Sequence, residues 1–283
     1  MSYPSNSNTN INNELFAPLV TQAQFAAYEN SVARQLVTVF DAPVNSGKIL
    51  QVPVWAGISA EQISDEAAAT AKTTNTTSVN ITLSEHVVYH QVTDMLRDSA
   101  YSDVFAQLGD QSGRAIAESI DTQVFSQFAN FGTDLGTANT AVTAQTIMKA
   151  AATLRARKLT GPFYAVLHPA QAYGIKANLT ATTSYTASGA IADSVLGGFY
   201  IGTIAGVQIF ESALVPASGS ANNAVGAVFT PQALGHAMRG GIDMNTLYLP
   251  AARATDVVLK GVAGAGVLNS TFGVAITGPS VIV

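Results

Sequence analysis

Lys48-Ile49-Leu50-Gln51-Val52-Pro53-Val54-Trp55 is followed, after a polar interval, by Val79-Asn80-Ile81-Thr82-Leu83-Ser84. The first stretch is rich in β-branched and aromatic residues, and the second alternates apolar with polar side chains as a strand with one covered face does. Pro53 has no N–H to give to a ladder, which assigns its strand to an edge or to a two-stranded ribbon. The interval 57–78 is small, polar and threonine-rich, and carries acidic Glu61, Asp65 and Glu66. Together the two stretches predict one long hairpin with an open tip. A two-stranded hairpin is marginal in water by itself, so one this long predicts a surface on which it lies. A neighbouring copy of the chain is the natural candidate.

Downstream, Val104, Leu108, Ser112, Ile116, Ile120, Val124 and Phe128 recur every four residues, and Phe105, Ala115 and Phe131 widen the stripe. That is the period of a helix with one buried face. It predicts a spine over 102–131, roughly 45 Å long at the helical rise, with Asp103 as an acid of the first turn. Glycines 132 and 136 break the pattern. A second helix is predicted over 144–158, with Ile147, Ala151 and Leu154 on one face and Gly161-Pro162 ending it. Phe163-Tyr164-Ala165-Val166-Leu167 predicts a short buried strand, and His168-Pro169 opens a further helix, proline suiting a first turn. From 185 to 217 the chain is apolar and punctuated by glycine, which favours turns and strands. A strand over 225–229, a helical start at Pro231 and a β-rich tail from 241 complete the pass. Upstream, 15–39 reads as mixed helix and extended chain ending before Pro43. Residues 1–13 hold no basic residue and no apolar stretch, which excludes a signal or transit peptide and predicts a polar arm.

Composition narrows the function. Hydrophobic residues make up 48% of the 283, but charged residues only 11%, against roughly a quarter in ordinary soluble domains. A lone globule with so few charges is poorly protected from self-association, whereas a subunit that buries its surface against copies of itself escapes the problem. A net charge of -5 excludes a dedicated nucleic-acid binder with a strongly basic face. The absence of cysteine removes disulfides, thiolate nucleophiles and Cys-based metal sites, and suits a cytosolic setting. The uncharged stretch 261–283 is no membrane helix. It holds Asn269, Ser270, Thr271 and Pro279, and Phe272, Val274 and Ile276 alternate with Gly273, Ala275 and Thr277 as in a strand.

No catalytic constellation emerges. His86 and His90 have the H-x-x-x-H spacing of a helical zinc site, but their context is a strand, which sets them roughly 13 Å apart, and no Glu lies between them. Gly109-Asp110-Gln111-Ser112-Gly113 lies inside the spine stripe and is no nucleophile elbow, so Ser112 is a packing position. Asp121-Thr122-Gln123 lacks the glycine of an aspartic-protease turn. Gly261, Gly264 and Gly266 do not make a dinucleotide fingerprint. Asp94, Asp98 and Asp103 read as solvated acids near a helix start. Trp55, Tyr89 and Tyr101 are candidate interface anchors, with core packing as the other reading. The chain is predicted to be no enzyme and to need no cofactor or metal.

The order of these parts resembles the major capsid proteins of tailed bacteriophages. Gly47-Lys48 with Val52-Pro53-Val54 and the acidic, small tip over 61–69 look like that family's extended loop. Tyr164-Ala165-Val166-Leu167-His168-Pro169 looks like the strand-to-helix step of its axial domain. Ile201-Gly202-Thr203-Ile204-Ala205-Gly206-Val207-Gln208-Ile209, with Val215-Pro216 after it, looks like its glycine-spaced strand pair. Ala227-Val228-Phe229 with Ala233-Leu234 is similar to the segment that returns to the peripheral domain.

The resemblance implies an α+β, HK97-like capsid fold. Its parts would be an N-terminal arm (1–45), an extended β-hairpin loop (46–92), a peripheral domain with the spine helix (93–142 and 241–283) and an axial domain (143–240). It further implies self-assembly into hexamers and pentamers of an icosahedral head, built in the host cytoplasm and found in the virion. The head would enclose packaged double-stranded DNA without sequence-specific binding and without a membrane. The shell of an encapsulin-like bacterial nanocompartment shares the fold and is the alternative. An arm this short implies either a separate scaffolding protein or a chain already processed, beside a portal and, as an option, a cement protein. Lys48, Trp55, Glu61, Asp65, Glu66 and Lys72, in and around the loop, are the candidate intersubunit contacts. Some relatives crosslink neighbours through a Lys-Asn isopeptide bond; Lys48 and Lys72 are placed near the loop, but no catalyst or acceptor is identifiable beside them.

Overall fold

The computed structural model describes residues 23, 31–43, 45, 47–55, 57–63, 65, 68, 70–99, 104–181, 200–218 and 222–282. Most of the predicted arm, the stretch 185–199, Glu66, Tyr101 and Asp103 lie outside them. In chain order the elements begin with α1 (Ala33–Leu36), β1 (Thr38–Asp41), β2 (Ile49–Trp55), β3 (Thr76–Thr82), β4 (Ser84–Thr93), α2 (Asp94–Ser99) and α3 (Val104–Phe125). They continue with α4 (Ala144–Ala156), β5 (Phe163–Leu167), α5 (Pro169–Ala181), β6 (Tyr200–Ile204), β7 (Val207–Glu211), β8 (Ala217–Ser218), β9 (Asn223–Phe229), β10 (Leu234–Leu249), β11 (Ala254–Val267) and β12 (Gly273–Pro279).

Two sheets and a ribbon organise the chain. The first sheet has the order β1-β10-β11-β4. It is antiparallel except where β1 runs parallel to β10. The second has the order β12-β9-β5-β7-β6, with β8 beside β9. Among the described residues, strands β2 and β3 pair only with each other, as the predicted hairpin.

The spine α3 lies across one face of the first sheet, where Ile116 and Ile120 pack with Ile242, Val257, Leu259 and Ala263. The second sheet is covered by α4 and α5 through Ile147, Leu154, Ile175, Val228 and Ile276. Thr143 caps α4 by accepting from the Thr146 amide at 3.4 Å. Gln171, fully buried on α5, donates to the carbonyls of Ala224 and Ile276, stitching that helix to strands β9 and β12. No described helix is long and apolar enough to cross a membrane.

The spine is shorter than the four-residue stripe predicts. Its 22 α-helical residues span about 33 Å, and the chain then tightens into a 3-10 turn over Ser126–Asn130. Three residues per turn bring Phe125, Phe128 and Phe131 into one row. The ring of Phe128 lies 5.4 Å from Phe125, 6.2 Å from Phe131 and 5.4 Å from Phe229 of the second sheet. These rings sit in a cluster with Leu234 and Ala275, so one aromatic knot joins both sheets.

The C-terminal third divides between the sheets. Strand β10 already begins at Leu234, and β12 pairs with β9 in the second sheet. The sequence-derived boundaries at 92 and 241 therefore fall inside β4 and β10, and β1 shows that the end of the arm range belongs to the first sheet.

The segment from Ser31 to Ala33 is latched to the spine. Asp121 is 1% exposed, and its carboxylate accepts from the hydroxyl of Ser31 at 2.7 Å and from the amides of Val32 and Ala33 at 2.9 and 3.3 Å. A spine carboxylate thus caps the first turn of α1, which has no cap of its own. Desolvation pushes the Asp121 carboxyl above its ordinary range, against the pull of those three donors. About two turns away, Gly113 has no side chain because the backbone of Ala23 crosses it; any Cβ there would meet that carbonyl. Replacing Asp121 with Ala strands buried donors and should cost about 3 kcal/mol in chemical denaturation. It should also speed protease cleavage near residue 31, with Asp121→Asn milder on both counts.

Candidate functional site

The hairpin is held at its base and free beyond it. The Leu83 amide donates to the Lys48 carbonyl at 2.8 Å, and the Arg239 guanidinium donates to the carbonyl of Gly47. Ile81 is fully buried in a slot bordered by Gly235, Gly264 and Gly266. At Gly264 a Cβ would strike the Thr82 carbonyl, so the close crossing of ribbon over sheet requires glycine there. Gly264 and Gly266, which make no dinucleotide loop, form the floor that admits the hairpin, whereas Gly261 meets Ile116 of the spine.

Beyond the base, the ribbon's two faces differ. Leu50, Val52 and Val54 sit half-buried opposite Ile81, Val79 and Thr77. On the other face Ile49, Gln51, Pro53 and Trp55 are exposed. Seven paired residues carry the strands about 24 Å outward. At the far end Trp55 is 68% exposed, and Ile58 just past it is 64% exposed.

The candidate contact residues separate into two groups. Lys48 is exposed at the base. Trp55 ends strand β2, opposite Thr76. Glu61 and Lys72 meet at the tip at 3.9 Å, both well exposed, and the Lys72 ammonium donates to the Ser59 carbonyl at 2.7 Å. Asp65 is exposed in a turn, and Glu66 lies outside the described residues.

The histidines hold the spine to β4. His86 bonds the Ser119 hydroxyl through Nδ1 at 2.7 Å, and His90 bonds the Ser112 hydroxyl through Nε2 at 2.8 Å. Ser112 already donates to the Leu108 carbonyl at 2.6 Å, so Nε2 of His90 must carry the proton between them. Ser112 is therefore a buried hydrogen-bonding position, where the stripe predicts simple packing. Among the described residues no group of three or more His, Asp or Glu is placed to hold a metal. Tyr89 is exposed on the opposite face of β4 and donates to Asp256 at 2.8 Å, which raises the phenol above its usual value. Asp94 accepts from the Tyr248 hydroxyl at 2.9 Å, and Asp98 lies in α2.

Two features escape the sequence pass. His236 on β10 is 1% exposed and lines a cavity of about 240 Å³ with Ser31, Arg34 and Asp41. Burial, then the neighbouring Arg34 charge, lowers it to about 4, while a hydrogen bond to the Gly264 backbone acts the other way. A run of polar and small neighbours hid that strand position. The second feature is basic. Arg155, Arg157 and Lys158 close α4, where Arg155 donates to the Ala205 carbonyl at 2.5 Å and lies over the Phe163 ring. Arg157 donates to Thr271 and Thr133 at 2.5 and 2.7 Å. Their spacing in sequence was available as the signal.

Residues 76–276 match the model of a family described as phage capsid protein. None of the curated proteins matches in sequence. Among solved structures, the capsid of the cyanophage P-SCSP1u is similar with a TM-score of 0.66 at 22% identity, covering 87% of each chain. The capsid of Helicobacter pylori bacteriophage KHP30 gives 0.67 at 12% identity, covering 88% of this chain and 91% of that one. A virus-like particle from Pyrococcus furiosus gives 0.59 at 14% identity, covering 93% and 99%. At these identities the likeness carries the fold alone.

Replacing Gly264 with Val should destabilise the chain by about 1–3 kcal/mol and open the hairpin base to proteolysis. The pH dependence has a definite sign. His236 is depressed in the fold, so its contribution is intact above about 6.5 and is lost as pH falls toward 4. Denaturation midpoints should drop through that window, and His236→Phe should flatten the drop.

Proposed function

Because this chain belongs to the phage capsid protein family and is the major capsid protein of a phage shell, we propose that its copies close into the hexamers and pentamers of an icosahedral head around double-stranded DNA, each laying its hairpin over an adjacent copy. One observation carries this reading. The chain's single tryptophan stands exposed at the end of a ribbon that pairs with no other strand among the described residues. Aromatic residues held out on an uncovered element are typical anchors of subunit interfaces. Trp55 is the anchor in this scheme, and Lys48, Glu61, Asp65, Glu66 and Lys72 form its charged rim. The shell protein is structural in role and located in the virion.

The peripheral unit is then the first sheet with its spine, and the axial unit is the second sheet with α4 and α5. Assembly takes place in the host cytoplasm with a separate scaffolding protein, a portal and a cement protein. The net charge of -5 suits a wall that encloses DNA neutralised by counterions and does not grip it.

Electron microscopy of the purified chain tests the proposal. Closed shells of uniform diameter are expected, with DNA inside particles taken from a productive host; shells filled with an enzyme would instead favour the nanocompartment alternative. A chain that stays monomeric at high concentration under assembly conditions would refute shell formation. Trp55→Ser should leave the monomer's melting temperature unchanged. It should raise the concentration needed for assembly about thirtyfold, the equivalent of about 2 kcal/mol at an anchor position.

A further inference from the structure

A cleft of about 280 Å³ lies between the end of α4 and the turn joining β9 to β10, lined by Lys158, Gly161, Pro162, Thr230, Gln232 and Phe272. Two of its walls have unmet polar demand. The Thr230 hydroxyl is buried, in a residue only 6% exposed, and has no hydrogen-bond partner. Lys158 is exposed at the mouth and faces no carboxylate among the described residues, and neither do Arg155 and Arg157 beside it. The two arginines are held by backbone and hydroxyl oxygens, which leaves their charge uncompensated. Lys158 thus stands on the cleft wall with no carboxylate partner among the described residues, in a protein whose net charge is -5, and Arg155 and Arg157 are its neighbours in sequence.

The cleft suits a carboxylate. Lys158 supplies the charge, and the Thr230 hydroxyl can donate to an oxygen that reaches the floor. Acids of matching disposition exist on the same chain at the hairpin tip, where, among the described residues, Asp65 is exposed with no partner and Glu61 has only a long, exposed pair to Lys72. The volume fits one or two side chains and not a strand of nucleic acid. We infer that this cleft is the socket for the acidic hairpin tip of a second copy, with Asp65 or Glu61 entering beside Lys158. The inference rests on the hairpin-over-neighbour reading and adds the place where the tip is received.

Carbodiimide coupling tests it on the native sequence, since the reagent joins an amine to a carboxylate only where the two touch. Shells are co-assembled from isotopically light and heavy chains, coupled, digested and analysed by mass spectrometry. The expected result is a mixed light-heavy peptide joining Lys158 to Asp65 or Glu61. Shells that form but show Lys158 coupled elsewhere, or not at all, overturn the socket and leave the shell reading standing; absence of shells overturns both. Lys158 protected only in DNA-filled particles would assign the cluster to phosphate and also overturn the socket. As a second measure, Lys158→Glu should raise the assembly concentration roughly two- to fivefold, the range of one exposed ion pair. Combining it with Asp65→Lys should restore the original value, and failure of that restoration counts against the pairing.

Discussion

The two sheets are joined where the spine helix tightens and presents Phe128 to Phe229. That contact decides the rest of the architecture. Each sheet buries its own face under its own helices, and the row of Phe125, Phe128 and Phe131 lies in the cluster that packs residues of both together. The row exists only because the last turn of the spine winds at three residues per turn. Gly273 completes the joint, since a side chain there would fall on the ring of Phe131. An aromatic cluster of this kind is worth more than its buried area alone, because tilted and offset rings add a geometric preference.

Much of this was legible in the sequence, for identifiable reasons. Alternation along 79–84 and the four-residue recurrence of Leu108, Ile116, Ile120 and Val124 are properties of single elements, and periodicity reports them directly. The end of the spine was not legible in the same way. Phe128 and Phe131 fit a helical stripe and a 3-10 row equally well, and only the position of Phe229 in another sheet decides between them. The start of β10 was hidden because Gly235, His236 and Ala237 carry no apolar alternation, although all three are buried. The partner of β12 depends on chain topology, which no local pattern encodes.

The candidate site divides along the same line. The hairpin and its exposed Trp55 follow from Pro53 and from the polar interval behind it. The latch at Asp121 and the partners of His86 and His90 are relations between residues distant in sequence, so a motif scan meets them only as failed catalytic patterns. The glycines of β11 show how such a failure can mislead. Their spacing makes no ligand-cradling fingerprint, yet Gly264 and Gly266 carry the backbone of Thr82 and the side chain of Ile81, and Gly261 meets Ile116 of the spine.

A ribbon clamped at one end is a cantilever. Lys48, Leu83 and the buried Ile81 form the fixed support, and past them, among the described residues, the strands hydrogen-bond only to each other. An angular play of about 10° at the support moves the end of the ribbon by about 4 Å, given a reach of about 24 Å. The strand pairing itself need not change for this to happen. Stiffness along the ribbon and compliance at its root let identical chains meet unequal surroundings without repacking either core. The glycine floor under Ile81 therefore sets more than a contact, because its depth determines how far one subunit can lean toward the next.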